Sequence, residues 1–146
     1  MTARDIKTFQ FVIWEHYRAA GRRLPWRTTR DPYAILVSEI MLQQTQVSRV
    51  LAKYQEFLKK FSSFRALARA PISRVLAAWQ GMGYNRRALA LKKLAGIVVV
   101  EYGGKLPWDF NTLVALPGIG PATAGSLSAF VFNLPVPFIE TNIRRV

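Results

Sequence analysis

Cysteine is absent from the 146 residues. The chain therefore forms no disulfide and offers no thiolate to a zinc ion or an iron–sulfur cluster. One histidine, His16, cannot make up a zinc ligand set, and we read it as structural. Acid is scarce: 8 Asp and Glu against 21 Lys and Arg give a formal charge of +13 and an isoelectric point of about 11.0. No apolar run reaches the roughly 18 residues of a membrane-spanning helix, and the N-terminal MTARDIKTFQ is too polar for a signal peptide. The expectation is a soluble protein that is cytoplasmic in a prokaryote, associated with the nucleoid, or nuclear or mitochondrial in a eukaryote. Alternating strand patterns are missing too, with IVVVEY, residues 97–102, the one ambiguous run. No Ser/His/Asp arrangement, P-loop or dinucleotide fingerprint is present.

Hydrophobic residues, in contrast, make up 51% of the chain, ample for a core. A basic chain that is also this apolar is a folded binder of a polyanion rather than a disordered polybasic tail. Nucleic-acid phosphate is the natural anion; an anionic membrane is the rival, but no segment has the character of an interfacial anchor. The length suits one compact domain, or one domain and a piece of another.

The apolar periodicity predicts an all-α chain of about eight or nine short helices. Ile6, Phe9, Ile13 and Tyr17 mark a helix over 4–20 that stops at Gly21. Asp31 caps a second that Pro32 opens; it runs through YAILVSEIMLQQ and is apolar nearly all round, so it is a buried central helix. Thr45 is placed to cap the next, striped by Val47, Val50, Leu51, Tyr54, Phe57, Leu58 and Phe61. Helices over 63–70, 71–79 and 86–102 follow, the last after the GMGYN loop at 81–85. Residues 111–116 are short and helical, 123–131 form a helix of small residues, and 140–146 begin another. A chain ending at IRRV without a cap is expected to be a fragment.

LPGIGPATA, residues 116–124, has a particular form. Leu116, Pro117, Gly118, Ile119 and Gly120 make a turn in which both glycines are expected to take φ > 0 and a bare backbone. The helix beyond it presents unpaired N–H groups to an anion. Nine cations and no acid lie between Phe57 and Val100, including Arg65, Arg86, Arg87, Lys92 and Lys93. Such residues ordinarily form solvated helix faces, but the absence of balancing acid points to a face turned toward phosphates.

Glu39 lies among Leu36, Val37, Ile40, Met41 and Leu42. Burial would raise its pKa and suit it to protonate a leaving group, unless it pairs with an arginine for structure. Glu140 follows PVPFI and is either a first-turn acid or a second catalytic carboxylate. Together, one acid protonating a leaving base and one stabilising a cationic sugar would cleave a glycosidic bond; on DNA the base must first be flipped out. Tyr84 on its glycine loop can wedge into a base stack or simply pack. The amides of Gln43 and Gln44, beside Thr45, can read base edges or cap the helix. Trp26 and Arg27 close a pocket or pack.

These motifs resemble, in order, those of the helix-hairpin-helix DNA glycosylases, and most closely the MutY-type adenine DNA glycosylases: LPWR at 24–27, DPY at 31–33, SEIMLQQTQV at 38–47, WQGMGY at 79–84, GGKLP at 103–107 and LPGIGPATAG at 116–125. The likeness spans about residue 20 to the end. SEIMLQQTQV is highly specific; the hairpin alone indicates only the superfamily. The resemblance implies a six-helix barrel over about 24–133, with the helix-hairpin-helix at about 111–131. It also implies a second lobe formed by residues 1–23 and the part beginning at 134–146. Glu39 would protonate the target adenine and Glu140 would stabilise the sugar cation. Gln44 and Thr45 would contact an opposing 8-oxoguanine, and Tyr84 would be the wedge beside it. Trp26, Arg27 and Leu42 would border the adenine pocket. Leu116 to Gly120 would hold backbone phosphate, with a monovalent cation at the hairpin carbonyls. The family's 4Fe-4S cluster is expected only beyond Val146.

The resemblance implies a monofunctional glycosylase, a monomer, that removes adenine opposite 8-oxoguanine or G from double-stranded DNA. The alternatives are excision of another base (thymine in T:G or an oxidised pyrimidine) and non-catalytic DNA binding. Three departures stand out. The family's second carboxylate is an Asp in Asp-Gly-Asn, and here it reads Glu140-Thr141-Asn142. Ala122 replaces the Schiff-base lysine of endonuclease III-like relatives, so no lyase step runs through it. The chain also stops before the cluster's cysteines and before any domain that recognises 8-oxoguanine.

Overall fold

A computed structural model describes residues 2–139. Nine α-helices, and no strand, occur among the described residues: α1 Ala3–Ala20, α2 Pro25–Thr28, α3 Pro32–Leu42, α4 Val47–Lys60, α5 Phe64–Arg69, α6 Ile72–Trp79, α7 Arg86–Glu101, α8 Phe110–Ala115 and α9 Pro121–Phe130. Local chemistry starts them. A capping box opens α1: Asp5 N–H donates to Thr2 Oγ1 at 3.2 Å and Thr2 N–H donates to Asp5 Oδ2 at 2.7 Å. Asp31 accepts from Tyr33 N–H at 3.1 Å ahead of Pro32 at the first helical position. Ser63 caps α5 by accepting from Ala66 N–H, and Asp109 caps α8 by accepting from Thr112 N–H.

Several boundaries differ from expectation, and α2 is a helix that the periodicity does not predict. Helix α8 starts at Phe110, because Asp109 captures its first free N–H groups. Helix α9 starts at Pro121, for which no N–H is lost at the first turn. Thr45 does not cap α4; Gln46 holds that position without a side-chain bond.

The ambiguous run is helical from Ile97 to Glu101, with Tyr102 as the C-cap of α7. Leu91, Leu94, Ala95 and Val98 recur at three- and four-residue spacing and are fully buried, whereas Val100 is 83% exposed. The helix stops where Gly103 and Gly104 both take positive φ and Gly104 N–H reaches back to Val98 O at 2.8 Å.

Helix α3 is the centre of the body: Leu36, Val37, Ile40 and Met41 are wholly inaccessible, and it packs on α2, α4, α7 and α9. Around it, Trp26 meets Tyr54 edge-to-face at 5.3 Å and Phe57 meets Trp79 at 5.8 Å. The apolar stripe of α1 is different, since none of its residues is buried. Phe9, Phe11, Ile13 and Trp14 are all more than half exposed, and the guanidinium of Arg27 lies over the Tyr17 ring at 5.6 Å.

Candidate active site and nucleic-acid interface

The C-terminal end of α3 brings three of the sequence motifs together. The helix ends at Leu42, Gln43 is its C-cap, and Gln44 turns the chain with a left-handed φ of 54°. Thr45 N–H then closes the turn on Leu42 O at 3.3 Å. Gln44 is exposed, and Leu42 and Thr45 are half-buried. Glu39 lies three residues before Leu42, on the same helix face. It is half-buried rather than enclosed, so α3 does not shield that carboxylate on all sides.

Gln43 ties this end to the hairpin. Its Nε2 donates to Gly118 O at 3.1 Å and to Thr123 Oγ1 at 3.3 Å. The amide of Gln43 thus serves the protein itself, and of the two expected base-edge readers Gln44 is the exposed one. Leu116 and Ile119 are buried and anchor the hairpin, with Ile119 N–H on Leu116 O at 3.2 Å. Only one of its glycines takes the left-handed conformation. Gly118 has φ 81°, with its missing side chain directed at Ala90 Cβ. Gly120 is extended at φ −95° because it is the N-cap of α9, and open space surrounds the position its Cβ would take.

Arg87 ties the same end of α3 to the glycine loop. One guanidinium nitrogen, Nη1, donates to Ile40 O at 3.1 Å, Met41 O at 2.9 Å and Gln43 O. The other, Nη2, donates to Thr45 Oγ1 at 2.8 Å, Met82 O at 3.1 Å and Gly83 O at 3.2 Å. These carbonyls include ones left without intrahelical donors where α3 stops. Desolvation lowers the pKa of Arg87. Gly81, Gly83 and Tyr84 all have positive φ; for Tyr84 that is a costly backbone for its residue type. Trp79 Nε1 donates to Gly83 O at 3.1 Å beneath the loop. The Tyr84 ring is 55% exposed, with the Arg87 guanidinium 5.5 Å from its centroid.

The basic window is therefore not one phosphate face. Arg87 is buried; Lys92 donates to Leu67 O and Ala68 O at the end of α5; Arg65 donates to Gly103 O; Lys60 pairs with Glu56. Lys59, Arg69, Arg74, Arg86 and Lys93 are exposed. Sequence reasoning missed the role of Arg87. The available signal was two arginines opening a helix, where the dipole disfavours cations.

The remaining candidates sit further out. Trp26 is buried and packs on Tyr54, whose hydroxyl donates to Ala34 O at 3.0 Å and is pushed up to about 12 by burial. Arg27 is exposed and donates to Arg22 O at 3.2 Å, facing α1 rather than α3. Ala122 lines a groove of about 470 Å³ with Phe110, Pro121 and residues 136–139, and brings no amine to it. Glu140 lies outside the described residues.

Two implied groups can be compared with these residues. An iron–sulfur cluster does not fit them, since 146 residues without cysteine supply no thiolate. A monovalent cation fits the hairpin's chemistry in part. The carbonyls of Leu116, Gly118 and Gly120 each already accept one hydrogen bond, and each carbonyl oxygen has a second lone pair.

The chain is similar to known proteins over most of its length. An adenine DNA glycosylase of Buchnera aphidicola subsp. Baizongia pistaciae is 40% identical over 139 residues, which is 94% of this chain and 40% of that protein. A thymine/uracil-DNA glycosylase of Methanothermobacter thermautotrophicus is 33% identical over 146 residues, 99% of this chain and 66% of that one. The solved structure of a thermostable thymine-DNA glycosylase superposes with a TM-score of 0.87 at 33% identity, covering 93% of this chain and 63% of that one. The chain thus spans about 40% of the first relative's length. The family model for HhH-GPD superfamily base excision DNA repair proteins matches residues 37–146, a span holding Glu39, the Gln44–Thr45 turn, the Tyr84 loop and the hairpin, and the chain belongs to that superfamily.

Proposed function

We propose that this chain carries the catalytic part of a monofunctional DNA glycosylase that removes adenine opposite 8-oxoguanine or G. The observation that carries this is the junction at the end of α3. Glu39, the exposed Gln44, the Tyr84 loop and the hairpin are parts of one junction, linked through Gln43 and Arg87. A duplex held at the hairpin by its phosphates would present a flipped base to Glu39 while Tyr84 fills the stack beside the opposing base.

The reaction breaks the N-glycosidic bond with its electron pair leaving on the base. Glu39 gives that base a proton; water adds to the anomeric carbon and loses a proton. Glu140 supplies negative charge to the cationic sugar. Ala122 cannot form a Schiff base, so the products are free adenine and an abasic site. Hairpin carbonyls would hold a monovalent cation next to the bound phosphate. The barrel over about 24–133 would be completed by a second lobe that includes residues 1–23 and the chain from 134. The exposed apolar stripe of α1 supports that division, because such a surface calls for a covering partner. A 4Fe-4S cluster would belong to sequence beyond Val146.

The likeness to a thymine-DNA glycosylase keeps a second reading, excision of thymine from T:G. One assay decides: duplexes with A opposite 8-oxoguanine, T opposite G, or an oxidised pyrimidine are incubated with the protein, and abasic sites are then cleaved with alkali. Release of adenine that Glu39→Gln abolishes is the expected result. Thymine release instead favours the second reading, and tight binding without release of any base refutes both.

A further inference from the structure

Arg87 stands in none of the chemical roles above, yet its surroundings are unusual. A guanidinium that is 7% exposed sits in the first turn of α7, with six oxygen acceptors drawn from two separate chain segments. One segment is the end of α3 with Thr45; the other is Met82 and Gly83 of the glycine loop. Its Nε finds no acceptor in the protein. The first turn of α7 is the end that its own dipole makes unfavourable for a cation, and the carbonyls at the C-terminal end of α3 offset that cost. What the position does provide is a rigid fork, able to bond two segments at fixed angles, which a lysine ammonium cannot do.

We propose that Arg87 is a positioning residue that fixes the Gln44–Thr45 turn against the Tyr84 loop, so that the two elements facing the opposing base act as one unit with the helix that carries Glu39. This rests on the reading of the site as a glycosylase centre. The geometry gives the reason. Nη1 grips the backbone of α3 within one turn of Glu39, and Nη2 bridges Thr45 and the loop. The same guanidinium lies 5.5 Å from the Tyr84 ring centroid, beneath a residue whose left-handed backbone needs support from its neighbours. A displacement at either segment is therefore felt at the other, and at the acid-bearing helix.

The test compares Arg87→Lys with Leu94→Ala, a core variant of the same helix whose side chain is wholly buried among apolar neighbours. Amide exchange is measured on the DNA-free protein at Thr45 and Met82, whose N–H groups bond Leu42 O and Trp79 O rather than Arg87. Arg87→Lys is expected to reduce protection about tenfold at both amides, and Leu94→Ala to leave the ratio between these amides and the rest of the chain unchanged. Single-turnover release of adenine opposite 8-oxoguanine and opposite G is then compared. Arg87→Lys is expected to lower that preference about tenfold, and Leu94→Ala to lower Tm without changing it. Loosening at only one amide, or an equal loss of preference in both variants, overturns the proposal. If the unaltered protein releases no base, the glycosylase reading fails and the exchange measurement alone decides the coupling. Should Arg87→Lys not fold, Thr45→Val removes one acceptor and is expected to loosen Met82 as well as residue 45; an unchanged Met82 overturns the coupling.

Discussion

Gly118 and Gly120 are one residue apart in the same motif, yet they should respond oppositely to alanine. At Gly118 the new side chain would sit at φ 81° with its Cβ 3.1 Å from Ala90 Cβ and 3.9 Å from Ile40 Cδ1. The left-handed backbone costs about 1–2 kcal/mol and the tight contact about 1 more, offset by roughly 0.4–1 kcal/mol from the less flexible unfolded chain. The net loss is about 1–2.5 kcal/mol. An unfolding entropy of about 2.1 cal/mol/K per residue converts that, over 146 residues, to a Tm fall of about 3–8 °C. Gly120 has φ −95° and no atom within 4 Å of its would-be Cβ. There the unfolded-state gain and the poorer N-cap roughly cancel, so Tm should move by no more than about 2 °C. The added methyl does occupy the open space a phosphate would approach, and duplex affinity at fixed salt should fall about tenfold. Calorimetry and fluorescence anisotropy on the two variants check both halves. Equal Tm losses would refute the backbone assignment, and unchanged affinity for Gly120→Ala would refute the hairpin as a phosphate site.

Further outcomes follow from the same structure. Tyr84→Ala should change stability by less than about 0.5 kcal/mol, because the ring is more than half exposed, while weakening binding to a duplex with A opposite 8-oxoguanine; anisotropy against an undamaged duplex measures the difference. Lys92→Met should cost about 1 kcal/mol through the lost bonds to Leu67 O and Ala68 O but leave the slope of log affinity against log salt unchanged, which a salt titration reads. The N–H of Thr112 holds the Asp109 carboxyl below its ordinary 3.8. Its stabilisation is therefore present above pH 3.8 and lost as the pH falls through the lower folded value, so the Tm difference between the unaltered protein and Asp109→Asn should shrink with acidification. A constant difference down to pH 2 would show that the cap charge contributes nothing.

How much the sequence determined differs from element to element. The buried character of α3 was legible because an apolar surface on every side of a helix can only be satisfied inside a core. The cap at Asp31 was legible because capping is settled within three residues. The order of SEIMLQQTQV, GMGY and LPGIGP carried the family, since each is a local backbone form with its own residue requirements. Side-chain direction was not legible. Nothing local separates Arg87 from Arg86, or Gln43 from Gln44; which of each pair turns inward depends on carbonyls that α3, the glycine loop and the hairpin present only after they pack. The same holds for the glycines of the hairpin, whose spacing looks symmetrical. Gly118 is left-handed and leaves little room for a side chain against Ala90, whereas Gly120 is extended because it opens α9. Local patterning thus settled most of the helices, though not α2, and where the motifs lie. Tertiary packing decided which polar groups are used up inside the protein and which remain for a ligand, because a long side chain's hydrogen-bond partners come from segments distant in the chain.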